Sequence, residues 1–418
     1  MAVSRRQVGV LLVSLLGALA LLASSPRVQS QPVEDAVDHG PGGAPYAAGE
    51  LLITYQEQAS DNAVESLDEE VGAEVGEELP EIDARLFEFP EVKREPSEDV
   101  RERDLAQIKE ELQRNPAVES VGYNYVYSAS YTPNDPRFPQ QWGLRKTGFE
   151  SAWNRARGSG TRIAIVDSGA DVRHVDLRLK IAGQCDLINN DDTCNSTVED
   201  PFKHGTHVAG IAAAETGNGE GVAGGCPNCK LLIAKVLDGY GLGTAADVAK
   251  GIIWGVDNGA KVVNLSFAST GDARVVRDAV DYATRRGVVV VAAAGNTRKR
   301  TVEYPAAYSN VIAVAATDQD DQRASFSGGY SSNSGNWVDI AAPGENILST
   351  VPGDRYAYMS GTSMATPHVS ALAGLLASQG LDAARIEKRI FNTAVDLGKA
   401  GHDSYFGYGR IDAGRAVR

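Results

Sequence analysis

The sequence predicts an α/β protein, a doubly wound and mostly parallel sheet with helices on both faces, preceded by a small α+β domain with a ferredoxin-like pattern. Three observations predict this fold class. Residues 131–418 contain short, nearly continuous apolar runs, which are typical of strands buried on both faces of a sheet. Helix-like stretches separate several of these runs, as parallel strands require. Residues 50–130 instead alternate three strands with two polar or charged helices.

The first 30 residues have the pattern of a signal peptide. Arg5 and Arg6 precede an apolar run from Val8 to Ala23, and small and polar residues follow it. The run is shorter than the ~20 residues that a membrane-spanning helix needs. We therefore predict a secreted, extracellular protein with no membrane contact after signal removal, and a retained membrane anchor is the alternative.

The next hundred residues are predicted to form a flexible lead-in and a small domain. Residues 31–49 are rich in Gly, Pro and acids and have no apolar period, which indicates a flexible acidic segment. Structure is predicted to begin near Glu50 and to continue to residue 130 as a compact βαβαβ unit. Its helices cover Asp61–Val75 and Ser97–Gln113, and its strands are LLITY, ARLFEF and VESVGYNYVYS.

The net negative charge of the protein is concentrated in residues 31–130. Residues 31–130 hold 25 acidic and 7 basic side chains, whereas residues 131–418 hold 30 of each sign. No basic face stands out, so nucleic acid is not an expected partner. The composition, 43% hydrophobic and 23% charged, is typical of a globular protein. We expect a monomer.

Six apolar runs are predicted as the strands of the second domain, residues 131–418. They are RIAIVD, KLLIAKVL, KVVNLS, GVVVVAAAG, NVIAVAA and WVDIAA. Predicted helices between them cover His204–Glu215, Thr244–Asn258 and Ala273–Arg286. Because ligands of such sheets bind beyond the carboxyl ends of the strands, polar residues at those ends are candidates for function.

An aspartate, a histidine and a serine with complementary chemical roles lie at the ends of predicted strands and helices. Asp167 closes the strand RIAIVD, His204 opens a helix in HGTHVAG, and Ser363 opens another in SGTSMATPHV. A serine hydroxyl needs a base to remove its proton, and the imidazole needs a carboxylate to orient it. Singly, these residues are consistent with a turn, a buried imidazole and a helix cap. Their joint occurrence predicts a nucleophile, a general base and an orienting acid.

These motifs resemble the catalytic blocks of the subtilisin-like serine proteases. IVDSGAD, HGTHVAG, AAAGN and GTSMATPHV occur in the order of that family, and the resemblance covers residues 131–418, with the thermitase branch nearest. Residues 50–127 resemble the inhibitory propeptide of the family. The resemblance implies a zymogen that acts on peptide and protein substrates, with its own propeptide as intramolecular inhibitor.

The resemblance also implies which residues surround the substrate. Asn296, at the end of VVVVAAAGN, would donate its amide to the oxyanion together with the Ser363 N–H, although an ordinary turn Asn is the alternative. Two segments would form the walls of a groove in which an extended peptide lies as an added strand. They are Asn264, Leu265, Ser266, Phe267 and Ala268 on one side, and Ala293, Ala294 and Gly295 on the other.

Glu303, in TVEYP, matches the floor of the primary specificity pocket by resemblance, where an acid pairs with Lys or Arg of the substrate. The alternative is a solvated loop carboxylate neutralised by Arg298, Lys299 and Arg300. The junction near residue 130 offers only Tyr, Ser and Ala before a self-cleavage site. We therefore expect broad specificity, and a processing-type protease selective for basic residues is the alternative.

Calcium is the expected cofactor, with a structural role. The loop ETGNGEGV offers side-chain oxygens at Asn218 and Glu220 and glycines that let its carbonyls turn. By resemblance, the remaining ligands are the side chains of Asp135 and Asp176 and the carbonyls of Glu215 and Val222. A plain Gly-rich turn is the alternative. A second group, Asp186, Asp191 and Asp192, resembles the family only loosely because its loop is longer.

Four cysteines in an exported chain favour two disulfides, most simply Cys185 with Cys194 and Cys226 with Cys229. A four-thiolate zinc site is the alternative, because CPNC has one half of the right spacing. His207 is predicted to be structural, since the sequence around it lacks the glutamate of the zinc motif HExxH.

Two further classes of function compete with a protease. One is a catalytically silent binding protein on the same fold, which the presence of all four chemical residues disfavours. The other is a free-standing inhibitor built on residues 50–130, which leaves the remaining 288 residues without a role.

Overall fold

A computed structural model describes residues 37–39, 45–56, 58–60, 63, 67, 71–127, 131–188, 194, 198–298 and 300–418. The predicted signal peptide lies outside the described residues. The chain divides into two compact units, residues 1–128 and 129–418. No helix in these described ranges is long and apolar enough to cross a membrane.

The first unit is a small antiparallel sheet with helices. Its described elements are β1 Val37–His39, β2 Pro45–Tyr55, β3 Glu74–Leu79, β4 Ala84–Glu88, α1 Pro90–Arg94, α2 Glu98–Leu112 and β5 Val118–Tyr125. Ala63, Leu67 and Val71 are helical as well. β2 lies between β4 and β5, and β3 pairs with the outer side of β4. The core joins alternate residues of β2 to α2, as a half-buried sheet requires.

Several elements of this unit differ from the prediction. β2 begins at Pro45 instead of Glu50, and β1 pairs with its first residues, so the described part of 31–49 is strand and not a flexible lead-in. The physical reason is a buried ion pair, in which Arg101 Nε donates to Asp38 Oδ2 at 2.8 Å.

β3 occupies the place where the sequence predicts the end of a helix. Among the described strands it pairs with β4 alone, as an outer strand, and its sequence EVGEEL exposes most of its side chains. Charged outer strands discourage pairing with other chains, and they lack the apolar alternation by which strands are recognised. The missing alternation explains why the sequence prediction omitted β3.

The second unit holds the large sheet. Its described strands are β6 Arg162–Asp167, β7 Ile181–Asp186, β8 Lys230–Lys235, β9 Val262–Leu265, β10 Val289–Ala293, β11 Ile312–Thr317, β12 Ser325–Phe326, β13 Tyr330–Ser331, β14 Ile340–Pro343, β15 Ile347–Val351 and β16 Arg355–Met359. Its described helices are α3 Trp142–Lys146, α4 Phe149–Ala152, α5 His204–Ala213, α6 Ala245–Asp257, α7 Arg274–Arg285, α8 Thr362–Ser378, α9 Ala383–Asn392 and α10 Ala413–Ala416.

Seven of these strands form one parallel sheet in the order β14-β11-β10-β9-β6-β8-β7. Helices α5 and α8 belong to the core on one face, and α6 and α7 to the core on the other. This is the predicted doubly wound α/β fold. The sequence prediction omitted β7 and the two short hairpins β12–β13 and β15–β16. β7 is an outer strand whose first four residues are not buried, which weakens its apolar pattern.

The cysteines form the two predicted pairs. Cys185, in β7, is bonded to Cys194, and Cys226 is bonded to Cys229 across a four-residue turn. All four sulfurs are therefore used in disulfides, and the alternative of a four-thiolate zinc site is wrong.

Candidate active site

The site lies where three neighbouring strands end. Asp167 is the last residue of β6, Ser266 directly follows β9, and Asn296 follows β10 by three residues. Because β6, β9 and β10 are adjacent and parallel, their carboxyl ends meet at one edge of the sheet. The fold thus collects residues that are far apart in sequence.

Asp167 and His204 form a hydrogen-bonded pair. His204 Nδ1 lies 2.7 Å from Asp167 Oδ1, and the aspartate side chain is fully buried. Since a carboxylate accepts this bond, Nδ1 carries the proton and Nε2 has a free lone pair. Gly205 allows the helix to approach, because a Cβ at this position would lie 2.0 Å from the Gly169 carbonyl oxygen.

The surroundings of His204 set its pKa. Burial lowers this pKa, but the charge and the hydrogen bond of Asp167 raise it, and Asp200 raises it further. The net effect is a pKa above the ordinary value of a histidine. The imidazole is therefore a stronger base than a free one, which suits it to accept a proton from a hydroxyl.

Sequence reasoning did not identify the residues that support this pair. Ser168 Oγ donates to Asp200 Oδ1 at 2.7 Å and accepts from the Gly205 N–H at 3.0 Å. The other oxygen of Asp200 accepts from the N–H and hydroxyl of Thr206. Burial raises the pKa of Asp200. An acid four residues before a helix-opening histidine was the available signal, because acids are favoured near helix N-termini.

Ser363 is the second residue of α8, and its hydroxyl donates to the carbonyl oxygen of Ser266 at 2.9 Å. Pro367 lies four residues later and has no N–H for the Ser363 carbonyl. Ser266 Oγ donates to that carbonyl instead, at 2.9 Å. These two bonds fix the start of α8 to the end of β9.

Asn296 is held by one end of its amide. Its Oδ1 accepts from the Thr362 N–H at 2.9 Å and from the Thr362 hydroxyl at 3.0 Å. With the oxygen occupied, the Nδ2 group is the end that can donate to another molecule. This orientation fits a donor to an oxyanion next to Ser363.

Comparison with known proteins assigns the chain to a family. The model of the subtilase family matches residues 158–409, which is more than half of the chain. The chain belongs to the subtilase family. Its residues 32–124 also match the fervidolysin N-terminal prodomain, so this subtilase contains a prodomain and a serine protease domain.

Several relatives match this subtilase over long stretches. It is 41% identical to a thermophilic serine proteinase of Bacillus sp. (strain AK1) over 409 residues, 97% of this chain and 96% of the relative. It is 49% identical to thermitase of Thermoactinomyces vulgaris over 289 residues, 69% of this chain and all of the relative. A solved protease structure from Pseudoalteromonas arctica PAMC 21717 matches with a TM-score of 0.61 and 33% identity, covering 69% of this chain and 99% of that structure.

The predicted walls of the substrate groove lie at the ends of β9 and β10. Asn264 and Leu265 are buried inside β9. The Asn264 side chain is hydrogen-bonded to the hydroxyls of Ser266 and Ser370, so it stabilises the interior of the subtilase and does not line the groove. Phe267 and Ala268 line a cavity of about 300 Å³. Two aromatic rings, Tyr304 and Tyr308, lie in the same cavity and make it largely apolar. Ala293, Ala294 and Gly295 are buried at the end of β10.

Glu303 is a buried carboxylate, with 6% of its surface exposed. Its Oε1 accepts from Asn333 Nδ2 at 2.8 Å and from the Thr297 hydroxyl at 3.2 Å. Its Oε2 lies under Gly295, where a Cβ would come within 2.2 Å of it. The alternative of a solvated loop carboxylate is therefore wrong, and the acid faces the backbone that leads to Asn296.

The predicted calcium ligands come together around two buried aspartates. Asp135 Oδ2 accepts from the Gly217 N–H, and Asp176 accepts from Asn218 Nδ2 and the Val222 N–H. Burial raises the pKa of Asp135, and the nearby charge of Asp176 raises it further. Two carboxylates confined together are a setting in which a cation is favourable.

The residues fit a calcium ion only in part. Asp135 Oδ1 is buried and has no hydrogen-bond partner in the described chain, as expected of an oxygen that would contact a metal. Asn218 Oδ1 already accepts from the Glu220 N–H, and the Glu220 side chain is exposed. No group of three or more His, Cys, Asp or Glu within the described ranges is arranged as a metal site. Asp191 and Asp192, of the second predicted group, lie outside the described residues.

His207 has a structural role, as predicted. It is fully buried, and its Nε2 lies 3.0 Å from the carbonyl oxygens of both Ile347 and Ala357. Burial lowers its pKa to about 3, so the ring is neutral and bonds α5 to the hairpin β15–β16.

Proposed function

We propose that this subtilase is a secreted serine endopeptidase, made as a self-processing zymogen, with Asp167, His204 and Ser363 as its catalytic triad. The hydrogen bond of 2.7 Å between His204 Nδ1 and Asp167 Oδ1 carries the proposal, because it leaves Nε2 as a base. The position of Ser363 at the start of α8 supports the assignment of the nucleophile.

In the proposed mechanism, the Ser363 hydroxyl leaves the Ser266 carbonyl by rotation about its Cα–Cβ bond and donates to His204 Nε2. His204 takes the proton as Ser363 Oγ attacks the peptide carbonyl, and Asp167 stabilises the resulting imidazolium. The Asn296 amide and the Ser363 N–H donate to the oxyanion. His204 then gives the proton to the leaving amine, and water hydrolyses the acyl-enzyme by the same steps.

We infer broad specificity from two features. The apolar cavity beside Phe267 and Ala268 offers room for a large apolar side chain of an extended substrate. Glu303, buried below Gly295, favours Lys or Arg before the cleaved bond, since a desolvated ion pair is stronger than an exposed one. A strict requirement for a basic residue conflicts with self-cleavage near residue 130, where Tyr, Ser and Ala are the available residues. A processing-type protease that prefers basic residues is the second candidate, and the buried carboxylate of Glu303 is the observation that supports it.

The prodomain and calcium complete the proposal. The match of residues 32–124 to a subtilase prodomain supports an intramolecular inhibitor that is released by self-cleavage. Asp135 and Asp176 would hold a structural calcium ion, with the carbonyls of Glu215 and Val222, and the ion would stabilise the loop that joins them.

An active-site probe separates this proposal from a silent binding protein. A fluorophosphonate reacts with an activated serine, so it should label the processed wild type at Ser363 and leave Ser363→Ala and His204→Ala unlabelled. Equal labelling of wild type and Ser363→Ala would place the reactive serine elsewhere. Absence of labelling of a folded wild type would favour the silent binding protein.

A further inference from the structure

Asn333 is a fully buried amide whose side-chain hydrogen bonds join residues far apart in sequence. Its Nδ2 donates to the Ala294 carbonyl oxygen at 3.0 Å and to Glu303 Oε1 at 2.8 Å. Its Oδ1 accepts from the Thr297 N–H at 2.9 Å and from the Thr297 hydroxyl at 3.0 Å. Both hydrogens of the amide are used, and the single proton of the Thr297 hydroxyl is shared between Asn333 Oδ1 and Glu303 Oε1.

The backbone of Asn333 is also attached to the site. Its N–H donates to the Gly295 carbonyl oxygen at 2.9 Å. Asn333 therefore contacts Ala294, Gly295 and Thr297, the residues on both sides of the oxyanion donor Asn296. The same side chain holds the carboxylate of Glu303, so one residue connects the oxyanion turn to the floor of the specificity pocket.

We propose that Asn333 is the positioning residue that fixes the Glu303 carboxylate for recognition of a basic substrate side chain and couples it to the Asn296 turn. This inference rests on the proposed function of Glu303. A buried carboxylate gains from a cationic partner only if it is held in the correct place and its remaining lone pairs are satisfied. Asn333 supplies such a bond at Oε1, with a shared bond from the Thr297 hydroxyl, and in this proposal Oε2, next to Gly295, is the oxygen that meets the substrate cation.

Among the residues that the structure describes, no charged side chain donates a hydrogen bond to Glu303 Oε1. The donors at Oε1 are one amide and one hydroxyl, both neutral. Neutral donors orient a carboxylate without cancelling its charge, whereas an arginine or lysine at this point would neutralise it before the substrate arrived. The choice of an asparagine thus suits a carboxylate that is reserved for a substrate cation.

The test is a double-mutant cycle read out as a ratio. The ratio is kcat/KM for a peptide with Arg before the cut divided by kcat/KM for the matched peptide with Phe. Glu303→Gln should lower this ratio about thirtyfold. Asn333→Ala should lower it about tenfold, the effect of losing a hydrogen bond to a charged group. In the Glu303→Gln background, Asn333→Ala should change the ratio less than twofold, because the carboxylate on which it acts is gone.

Two further variants keep the test decisive. Thr297→Val removes the second donor to Oε1 while keeping the shape of the side chain, and it should lower the ratio several-fold even if Asn333→Ala folds poorly. Asn310→Ala is the matched control, since Asn310 Nδ2 also donates to a carboxylate, that of Asp281, but at an exposed site. It should leave the ratio unchanged.

The outcomes are distinct. An unchanged ratio in Glu303→Gln would overturn the pocket assigned to Glu303 and, with it, the role of Asn333. A lowered ratio in Glu303→Gln with no effect of Thr297→Val and Asn333→Ala would overturn the positioning role alone. An equal effect of Asn333→Ala with and without the Glu303 carboxylate would show that Asn333 supports the fold and not the carboxylate.

Discussion

At the scale of single residues, the active site depends on how neighbours set the protonation of His204. The general base must be neutral, so activity rises with pH through the pKa of His204. Asp167 and Asp200 raise that pKa by their charge, against the opposing effect of burial. Asp167 accepts from the Ser168 N–H and Asp200 accepts from the Ser168 hydroxyl, so one residue orients both acids.

Asp167→Asn should lower kcat by about 10⁴, the drop that follows this change in a serine protease triad. The amide favours the wrong tautomer of His204 and removes the charge that raises its pKa. In the Ser363→Ala background, an NMR titration should therefore show a lower pKa of His204 in the Asp167→Asn variant. His207 and His368, whose pKa values burial lowers to about 3 and about 4, serve as internal controls that stay neutral above pH 5. An unchanged or higher pKa of His204 would contradict the assigned pair.

Asn296→Ala should lower kcat by about 10²–10³ with little change in KM, a figure measured on the oxyanion donor of subtilisin, a member of this family. The reason is that its Nδ2 would contact the oxyanion and not the ground-state carbonyl. Steady-state kinetics on a processed enzyme measure both constants. Asn310→Ala, an exposed amide on the same domain, is the control and should retain full activity. A loss confined to KM would point to substrate binding instead.

At the scale of single elements, the loop 215–222 is hydrogen-bonded to the segment around Asp135. The Gly217 N–H donates to Asp135, and the Gly219 N–H donates to Asn134. The loop is thereby fastened to the beginning of the protease domain. The ammonium of Lys180 is a buried charge in the same region, and its Nζ lies 3.9 Å from Glu215 Oε2.

Removal of calcium by a chelator should destabilise the protein at the loop 215–222. In the Ser363→Ala background, which prevents autolysis, excess EDTA should lower the free energy of unfolding by ~2.7 kcal/mol where calcium had been at a hundredfold excess over Kd. Asp135→Asn should abolish the effect of calcium, and Asp278→Asn, on an exposed face of α7, should preserve it. Equal melting temperatures with and without calcium would contradict the site.

Lys180 should make stability rise with pH in an unusual window. Its side chain is 2% exposed, and burial lowers its pKa to about 8 although Glu215 opposes this. Between pH 8 and the ordinary lysine pKa of about 10.4, the unfolded chain binds more protons, so unfolding becomes harder as pH rises. The gain is on the order of 3 kcal/mol across the window.

Chemical unfolding of Ser363→Ala at several pH values measures this gain. Lys180→Met should remove it and should be the more stable variant near pH 7, because it carries no buried charge. Lys230→Met, which replaces an exposed lysine that donates to the Leu179 carbonyl oxygen, next to Lys180 in sequence, should keep the pH dependence. A pH dependence that is identical in Lys180→Met would show that another group is responsible.

At the scale of the whole molecule, the two units differ in charge. Residues 31–130 have 25 acidic and 7 basic side chains, while residues 131–418 are balanced. Like charges within a small domain repel one another and oppose its compact state at low salt. This self-repulsion lowers the free energy of unfolding of the first unit when salt is low.

Self-cleavage should separate the two units. Wild type should acquire a new N-terminus between about residues 128 and 132, and Ser363→Ala should keep its prodomain, because cleavage within one molecule needs the nucleophile. N-terminal sequencing and mass spectrometry measure the cut. The Tyr131 N–H is bonded to Asn154 at 3.0 Å, which favours cleavage before Tyr131 over cleavage after it. Identical processing of both variants would mean that another protease makes the cut.

The sequence by itself determined the residue types, the chain order and the buried strands of the sheet. RIAIVD is β6 to the residue, and the other five predicted strands are found with ends shifted by one to three residues. Apolar runs of this kind are local signals, because a strand buried on both faces must be apolar throughout. The pairing of the four cysteines was likewise accessible, since each pair is close in sequence.

Only the tertiary structure decided which side chains share an environment. Glu303 has the sequence surroundings of a solvated loop, with three basic residues nearby, yet the fold buries it against Asn333, thirty positions away. Ser168 and Asp200 are thirty-two positions apart and support the same histidine. β3 is a strand because β4 lies beside it, although half of its own residues are charged. Hydrogen-bond partners and burial arise where distant segments cross, and no local pattern of residues carries that information.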